Sequence, residues 1–171
     1  MLNIFKRTYS PKERDIFRFL RKNMLFRELN DEELAEFLPF MHLRTYRTSE
    51  AVFFRSDPSQ ALYLIKEGKV SVSIDIEGRF EELYTSGVPA FFGENALLPN
   101  RQRLYHATCT SETAQLYVIP HLNIMEIFEN HPATQGKMMM ALAEYQGQLQ
   151  ENLFQAYQSS FGFFDLAQIY R

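Results

Sequence analysis

Between Phe91 and Arg103 the chain reads Phe-Phe-Gly-Glu-Asn-Ala-Leu-Leu-Pro-Asn-Arg-Gln-Arg, and these residue types suit the capture of a small anion. Gly93 lets the backbone approach a ligand closely. Glu94 stands at the start of a short expected helix, whose free amide N–H groups favour negative charge. Arg103, nine residues further on, offers a planar fork that grips phosphate oxygens through two charge-assisted hydrogen bonds. A carboxylate in the same pocket cannot face phosphate, but it can accept a sugar hydroxyl. Helix start, guanidinium and carboxylate together describe a site for a cyclic ribose phosphate. Phe92, Gly93, Glu94, Ala96, Leu97 and Arg103 are its candidate contacts, and Tyr105 and His106 follow closely enough to line the site or to block it.

Plainer readings stand beside this one. Glu94 could be a solvated residue held near a helix start by the helix dipole, and Arg103 an exposed loop residue. With Arg103 in a ligand site, an Arg103→Ala change is expected to abolish binding and leave the ligand-free fold nearly untouched. No catalytic residue and no cofactor are expected. His42, His106, His121 and His131 lack metal-ligand spacing, and a metal-dependent β-roll enzyme needs paired His ligands on adjacent strands with a Glu. Cys109 is the only cysteine, so an intramolecular disulfide and a thiolate-held cluster are excluded. Its place in an expected strand marks it as buried filler.

The elements that must position these residues can be read from periodicity. Ser10-Pro11-Lys12-Glu13 combines an N-cap, a first-turn proline and a capping-box glutamate. Ile16, Phe17, Leu20 and Met24 then recur at helical spacing. A second capping box, Asn30 with Glu33, leads a helix that Pro39 ends. From about residue 42 short segments rich in Val, Ile, Phe, Tyr and Thr alternate with turns: Ala51–Phe54, Ala61–Ile65, Val70–Ile76, Phe80–Tyr84, His106–Thr110 and Leu116–Ile119. Val70, Val72, Ile74 and Ile76 alternate with polar residues, as in a half-exposed antiparallel strand. Helical spacing returns at His121–Glu129, and after Pro132 one long helix is expected from about Ala133 to Tyr157. Met138, Leu142, Tyr145, Leu149, Leu153 and Ala156 form a stripe on it fit for a partner helix. The tail Phe161-Gly162-Phe163-Phe164-Asp165-Leu166 is too apolar to be left in water.

Phe92-Gly93-Glu94-x-Ala96-Leu97-Leu98 with Arg103 resembles the phosphate-binding cassette of cyclic nucleotide-binding domains, found in catabolite-activator-type regulators and cyclic-nucleotide-gated channels. The likeness continues through Glu50–Phe53 to Asp57-Pro58, Leu62–Val72, Gly87–Glu94 and Leu116–Pro120, covering about residues 24–158. The resemblance implies that Glu94 accepts the ribose 2′-hydroxyl, that Arg103 pairs with the cyclic phosphate and that the Gly93–Ala96 region offers backbone contacts. It also implies that the helix after Pro132 is both lid and dimer helix. Where the family has small residues after the arginine, this chain has Leu104, Tyr105 and His106. Counted back from Ile119-Pro120 the segment is one residue longer than usual, which leaves Leu104 at the arginine position and Arg101 as another basic candidate.

The expected fold is α+β, mainly β: an antiparallel β-roll or jelly-roll barrel with N-terminal helices and a long C-terminal helix. Residues 1–23 form a basic amphipathic helix, 24–132 the nucleotide-binding roll, and 133–171 the lid and dimer helix with its apolar tail. Residues 1–30 carry eight Lys or Arg against Glu13, Asp15 and Glu28; this balance of +5 within a net charge of −3 leaves −8 on the rest. So acidic a body does not suggest a nucleic-acid binder, and too few residues follow Tyr157 for a helix-turn-helix domain in the chain as given. No run is apolar enough for a signal peptide or a membrane span, which together with the lone cysteine suggests the cytoplasm. The expected protein is a non-catalytic sensor of a cyclic nucleotide, cyclic AMP in first place, and a homodimer through its last helix. The alternative is a degenerate roll that binds no nucleotide and serves dimerisation or protein interaction.

Overall fold

The computed structural model describes residues 8–161, with the side chains of 160 and 161 left aside; the apolar tail beyond Phe161 lies outside the described residues. Both expected capping boxes form. Ser10 Oγ accepts from the Glu13 amide at 3.3 Å while the Ser10 amide donates to Glu13 Oε2 at 2.7 Å, opening α1 (Pro11–Arg21). Asn30 and Glu33 make the same exchange at 2.9 and 2.8 Å, opening α2 (Asp31–Ala35). Pro39 does not simply end that second helix: it sits inside a 3-10 turn, Leu38–Phe40, where its missing N–H is no loss.

Eight strands follow, two more than the sequence pattern predicts: β1 (His42–Arg47), β2 (Ala51–Phe53), β3 (Ala61–Glu67), β4 (Val70–Ile76), β5 (Arg79–Ser86), β6 (Ala90–Phe92), β7 (His106–Cys109) and β8 (Thr113–Pro120). They pair, all antiparallel, into two four-stranded sheets, β1-β8-β3-β6 and β2-β7-β4-β5. β1 escapes the pattern because it is a mostly exposed edge strand, His-Leu-Arg-Thr-Tyr-Arg, with no apolar alternation. β6 escapes it because three residues are too few to show a period.

The central strands build two cores at once. Along β3, Leu62 and Leu64 face the helices while Ala61, Tyr63 and Ile65 face the interior of the roll. β8 divides in the same way, with Ile119 toward the helices and Ala114, Leu116 and Val118 inward. The period of two along a strand makes this partition unavoidable. Both faces of β3 are therefore covered, and its run Ala61–Ile65 reads as uninterrupted apolar sequence.

The helical core gathers Phe17 and Leu20 of α1, Phe26, Leu34 and Phe37, with α3 (His121–Asn130) and α4 (Pro132–Phe161) closing over them. Met138 and Leu142, read from sequence as the start of a partner-helix stripe, are buried inside this chain. Lys137 of α4 adds a partly buried ion pair to Glu33, at 2.7 Å. Only the later part of the stripe is open: every residue from 146 to 156 is exposed, Leu149 and Leu153 included.

Phe26→Ala, emptying a fully buried site, is expected to cost about 3–5 kcal/mol, and Asn30→Ala, removing one cap, about 1 kcal/mol. Denaturant unfolding of the two variants should rank them in that order.

Candidate functional site

β6 delivers the chain to the cassette. Its residues pair with β3 as Tyr63↔Phe92, Leu64↔Phe91 and Ile65↔Ala90, so Phe92 lies inside the roll, stacked on Tyr63 with ring centroids 5.1 Å apart. Gly93 then takes φ 74°, a left-handed conformation that a side chain disfavours, and the chain turns into a 3-10 segment, Glu94–Leu97. Ala96 and Leu97 bury their side chains in the helical core. Their contribution to a ligand would therefore come from the backbone. The Ala96 carbonyl is already engaged, accepting at 2.7 Å from Nδ1 of His121.

Arg103 returns to this turn from the far side. Its backbone is pinned by the Asp57 carbonyl, which accepts from its amide at 2.8 Å, and by the Ser56 amide, which donates to its carbonyl at 2.9 Å. The side chain points inward and is 4% exposed, whereas Arg101 is exposed and Leu104 is 64% exposed. Of Arg101, Arg103 and Leu104, Arg103 is the one whose side chain reaches the Gly93 turn. Nη1 donates to the Gly93 carbonyl at 3.0 Å and Nη2 to the Ala61 carbonyl at 2.7 Å. The guanidinium lies 4.1 Å over the Phe53 ring and 5.5 Å from that of Tyr63, a cation–π arrangement. Nε is buried without a hydrogen-bond partner among the described residues. Burial pulls the Arg103 pKa below its ordinary value, an effect that Tyr63, Tyr105 and Glu94 oppose.

A side chain so placed is not structurally silent. The expectation that Arg103→Ala leaves the ligand-free fold nearly untouched is corrected, because the change removes two hydrogen bonds and the packing on Phe53.

Tyr105 occupies the ground between Gly93 and Glu94. Its hydroxyl accepts from the Gly93 amide at 2.8 Å and donates to Glu94 Oε2 at 3.0 Å. One phenol thereby engages both a backbone donor and the carboxylate of the turn. Burial, then the charge of Glu94, push the Tyr105 pKa well above the usual phenol range. The ring also joins the roll interior, 5.6 Å from Phe53. Tyr105 thus stands on the turn itself, bonded to two consecutive residues of it.

His106 goes elsewhere. Its ring stands edge-on to Phe54 and Phe80, at 6.0 and 4.9 Å, and its Nδ1 accepts from the Arg55 amide at 3.2 Å. The structure thus brings Phe92, Gly93, Glu94, Arg103 and Tyr105 together and turns His106 toward a separate aromatic patch. Phe53, Tyr63 and the Ala61 carbonyl, which cradle the guanidinium, went unsingled in the sequence because apolar and aromatic strand residues read as core. Among the described residues no group of three or more His, Cys, Asp or Glu could hold a metal ion, and no helix is long and apolar enough to cross a membrane.

The model of the family described as "Cyclic nucleotide-binding domain" matches residues 43–131. The chain belongs to this family. A curated relative, the cyclic AMP receptor protein of Thermus thermophilus, is 31% identical over 98 residues, which are 57% of this chain and 45% of that one. The solved N-terminal domain of a transcriptional regulator from Streptomyces coelicolor matches with TM-score 0.68 at 26% identity, covering 79% of this chain and 94% of its own. The regulatory domain of Toxoplasma gondii PKA, crystallised with cAMP, matches in fold with TM-score 0.64 at 24% identity, covering 71% and 46%. The chain spans less than half the length of the first curated relatives it matches. As a cyclic nucleotide-binding domain it is a regulatory type of module.

Gly93→Ala would place a Cβ 2.5 Å from Arg103 Nη1 and 3.2 Å from the Ala61 carbonyl. With the left-handed backbone added, the expected loss is about 1–3 kcal/mol, measured by denaturant unfolding. A phenol made less acidic by folding stabilises the fold fully at pH values below its unfolded pKa of about 10. That contribution is lost as pH climbs through and beyond that value. Stability is therefore expected to decline above about pH 10, and Tyr105→Phe should make the decline shallower in a series of melts at rising pH.

Proposed function

We propose that this cyclic nucleotide-binding domain is a non-catalytic regulatory module whose cassette is held closed by its own Tyr105, and that a cyclic nucleotide, cyclic AMP in first place, enters by displacing that side chain. Arg103 and the amides of the Gly93–Ala96 turn would take the phosphate, and Glu94 the ribose hydroxyl. One observation carries the reading: the Tyr105 hydroxyl engages the Gly93 amide, which the phosphate would take, and the Glu94 carboxylate, which the ribose would take. Membership of the family and the likeness to receptors named for cyclic AMP support the choice of ligand.

Gating has a calculable effect on affinity. If the open form makes up about 1% of the ligand-free protein, the apparent dissociation constant is about a hundredfold weaker than the intrinsic one. Arg103 keeps donors to offer. Its bonds to the Gly93 and Ala61 carbonyls engage two of its five N–H groups, and the unpartnered Nε–H is among those left for a phosphate.

A second reading is favoured by the same contacts. Tyr105 could stay in place permanently, which would make the domain a scaffold for dimerisation or protein interaction through the exposed part of α4. The satisfied hydroxyl favours it, since that group already has both a donor and an acceptor within the protein.

Thermal unfolding with cyclic AMP and cyclic GMP separates the two. Saturation at a hundredfold excess over the dissociation constant adds about 2.7 kcal/mol, a rise of several degrees for a domain of this size. The gated module predicts a shift for the parent protein and a larger one, at lower nucleotide concentration, for Tyr105→Ala relative to its own baseline. A shift confined to Tyr105→Ala would assign the parent to the scaffold reading. No shift in either protein at millimolar nucleotide would remove the cassette as a ligand site.

A further inference from the structure

α1 lies on the domain by one face. Phe17 and Leu20 are buried in the helical core, and Ile16 and Phe19 pack against it. The opposite face is therefore held toward solvent. Arg14, Arg18 and Lys22 fall in one line on that outer face, at the i, i+4 and i+8 spacing that stacks side chains along a helix. All three are exposed, as is Lys12 in the first turn. The line is about 12 Å long.

Little of this charge is neutralised within the protein. Between Pro11 and Lys22 the chain has five Lys or Arg against Glu13 and Asp15. The Glu13 carboxylate caps the helix, accepting from the Ser10 amide at 2.7 Å, and Asp15 pairs with Arg18. Arg21 turns down to the Leu29 carbonyl and to Asp31. Lys12, Arg14 and Lys22 form no ion pair among the described residues. In the sequence the line follows Leu2, Ile4, Phe5, Lys6 and Arg7, whereas everything after residue 30 sums to −8.

Such a face suits a plane better than a groove. A recognition helix enters the major groove and brings side chains to base edges, but α1 is packed along its length and offers only its outer side. An anionic lipid surface asks for no matching shape. Each Lys or Arg brought near its headgroups strengthens binding about fivefold, and basic charge beside apolar residues is the combination that holds a protein on a bilayer. The acidic remainder of the chain is repelled by the same surface, which leaves α1 as the side that faces it.

We propose that the outer face of α1, centred on Arg14, Arg18 and Lys22, docks the domain side-on onto an anionic lipid membrane. The proposal does not rest on the reading of the cassette, and no nucleotide is needed to test it. The full chain is sedimented with vesicles of phosphatidylcholine alone and of phosphatidylcholine mixed with phosphatidylglycerol. Binding is expected on the anionic vesicles only. It should be strong at about 0.01 M salt and lost at about 1 M, where the screening length has fallen from about 30 Å to about 3 Å.

Arg14→Gln/Arg18→Gln/Lys22→Gln should weaken binding about a hundredfold, or about fivefold per residue, with the folded state kept because the three side chains are exposed. Lys12→Gln/Lys22→Gln, which breaks no ion pair, should weaken it about twenty-fivefold. Arg44→Gln/Arg47→Gln/Lys69→Gln removes three charges from exposed positions on β1 and the turn before β4, and most of the binding should survive it. Equal sedimentation with neutral vesicles, none with either kind, α1 variants that bind as the parent does, or equal losses in the two triple variants would overturn the proposal. So would retention on polyglutamate or duplex DNA without any on vesicles, which would assign the face to an acidic macromolecule.

Discussion

The hydroxyl of Tyr105 stands between a backbone donor at Gly93 and the Glu94 carboxylate, and what the domain can do follows from how firmly it is held there. A neutral hydrogen bond contributes about 1 kcal/mol net, one to a charged group somewhat more, and an unsatisfied partner left behind costs a further 1–3 kcal/mol. On the gated reading, those magnitudes suit a plug that a ligand of ordinary affinity displaces, at the expense of part of that affinity. The aromatic packing of the Tyr105 ring beside Phe53 adds to its hold, and the balance of these terms separates a gated receptor from a scaffold.

Arg103 presents the complementary problem. A guanidinium that is almost fully buried, with carbonyls and rings around it and no carboxylate bonded to it, is a charge kept in the protein at some expense. Carbonyl oxygens and the face of Phe53 offset part of that expense, while the orphaned Nε shows that the offset is incomplete. A phosphate would complete it. The same arginine therefore acts as a packing element and, on the proposed reading, is the group with most to gain from an anion.

Much of the scaffold was legible in the linear chain. The two capping boxes predict α1 and α2 because a cap depends on four neighbouring residues and on nothing distant. The alternation in β4 predicts a half-exposed strand, and the Phe92-Gly93-Glu94…Arg103 spacing locates the cassette. β1 and β6 were not legible: one is a polar edge strand whose register is set by β8, the other three residues held by β3. The stripe on α4 was legible as a stripe but not as two halves, one covered by this chain's own core and one open.

The sequence by itself determined the roll, the terminal helices and the presence of an arginine and a carboxylate near a glycine turn, since each depends on local spacing or on a period. Only the tertiary structure decided which basic residue turns inward, that Tyr105 reaches Glu94 while His106 turns to Phe54 and Phe80, and that Tyr84 and Tyr145 line one cavity with Phe91. Direction is the reason. Adjacent positions such as Tyr105 and His106 differ only in the side to which they point, and pairing across sheets, not the letters of the chain, fixes that side.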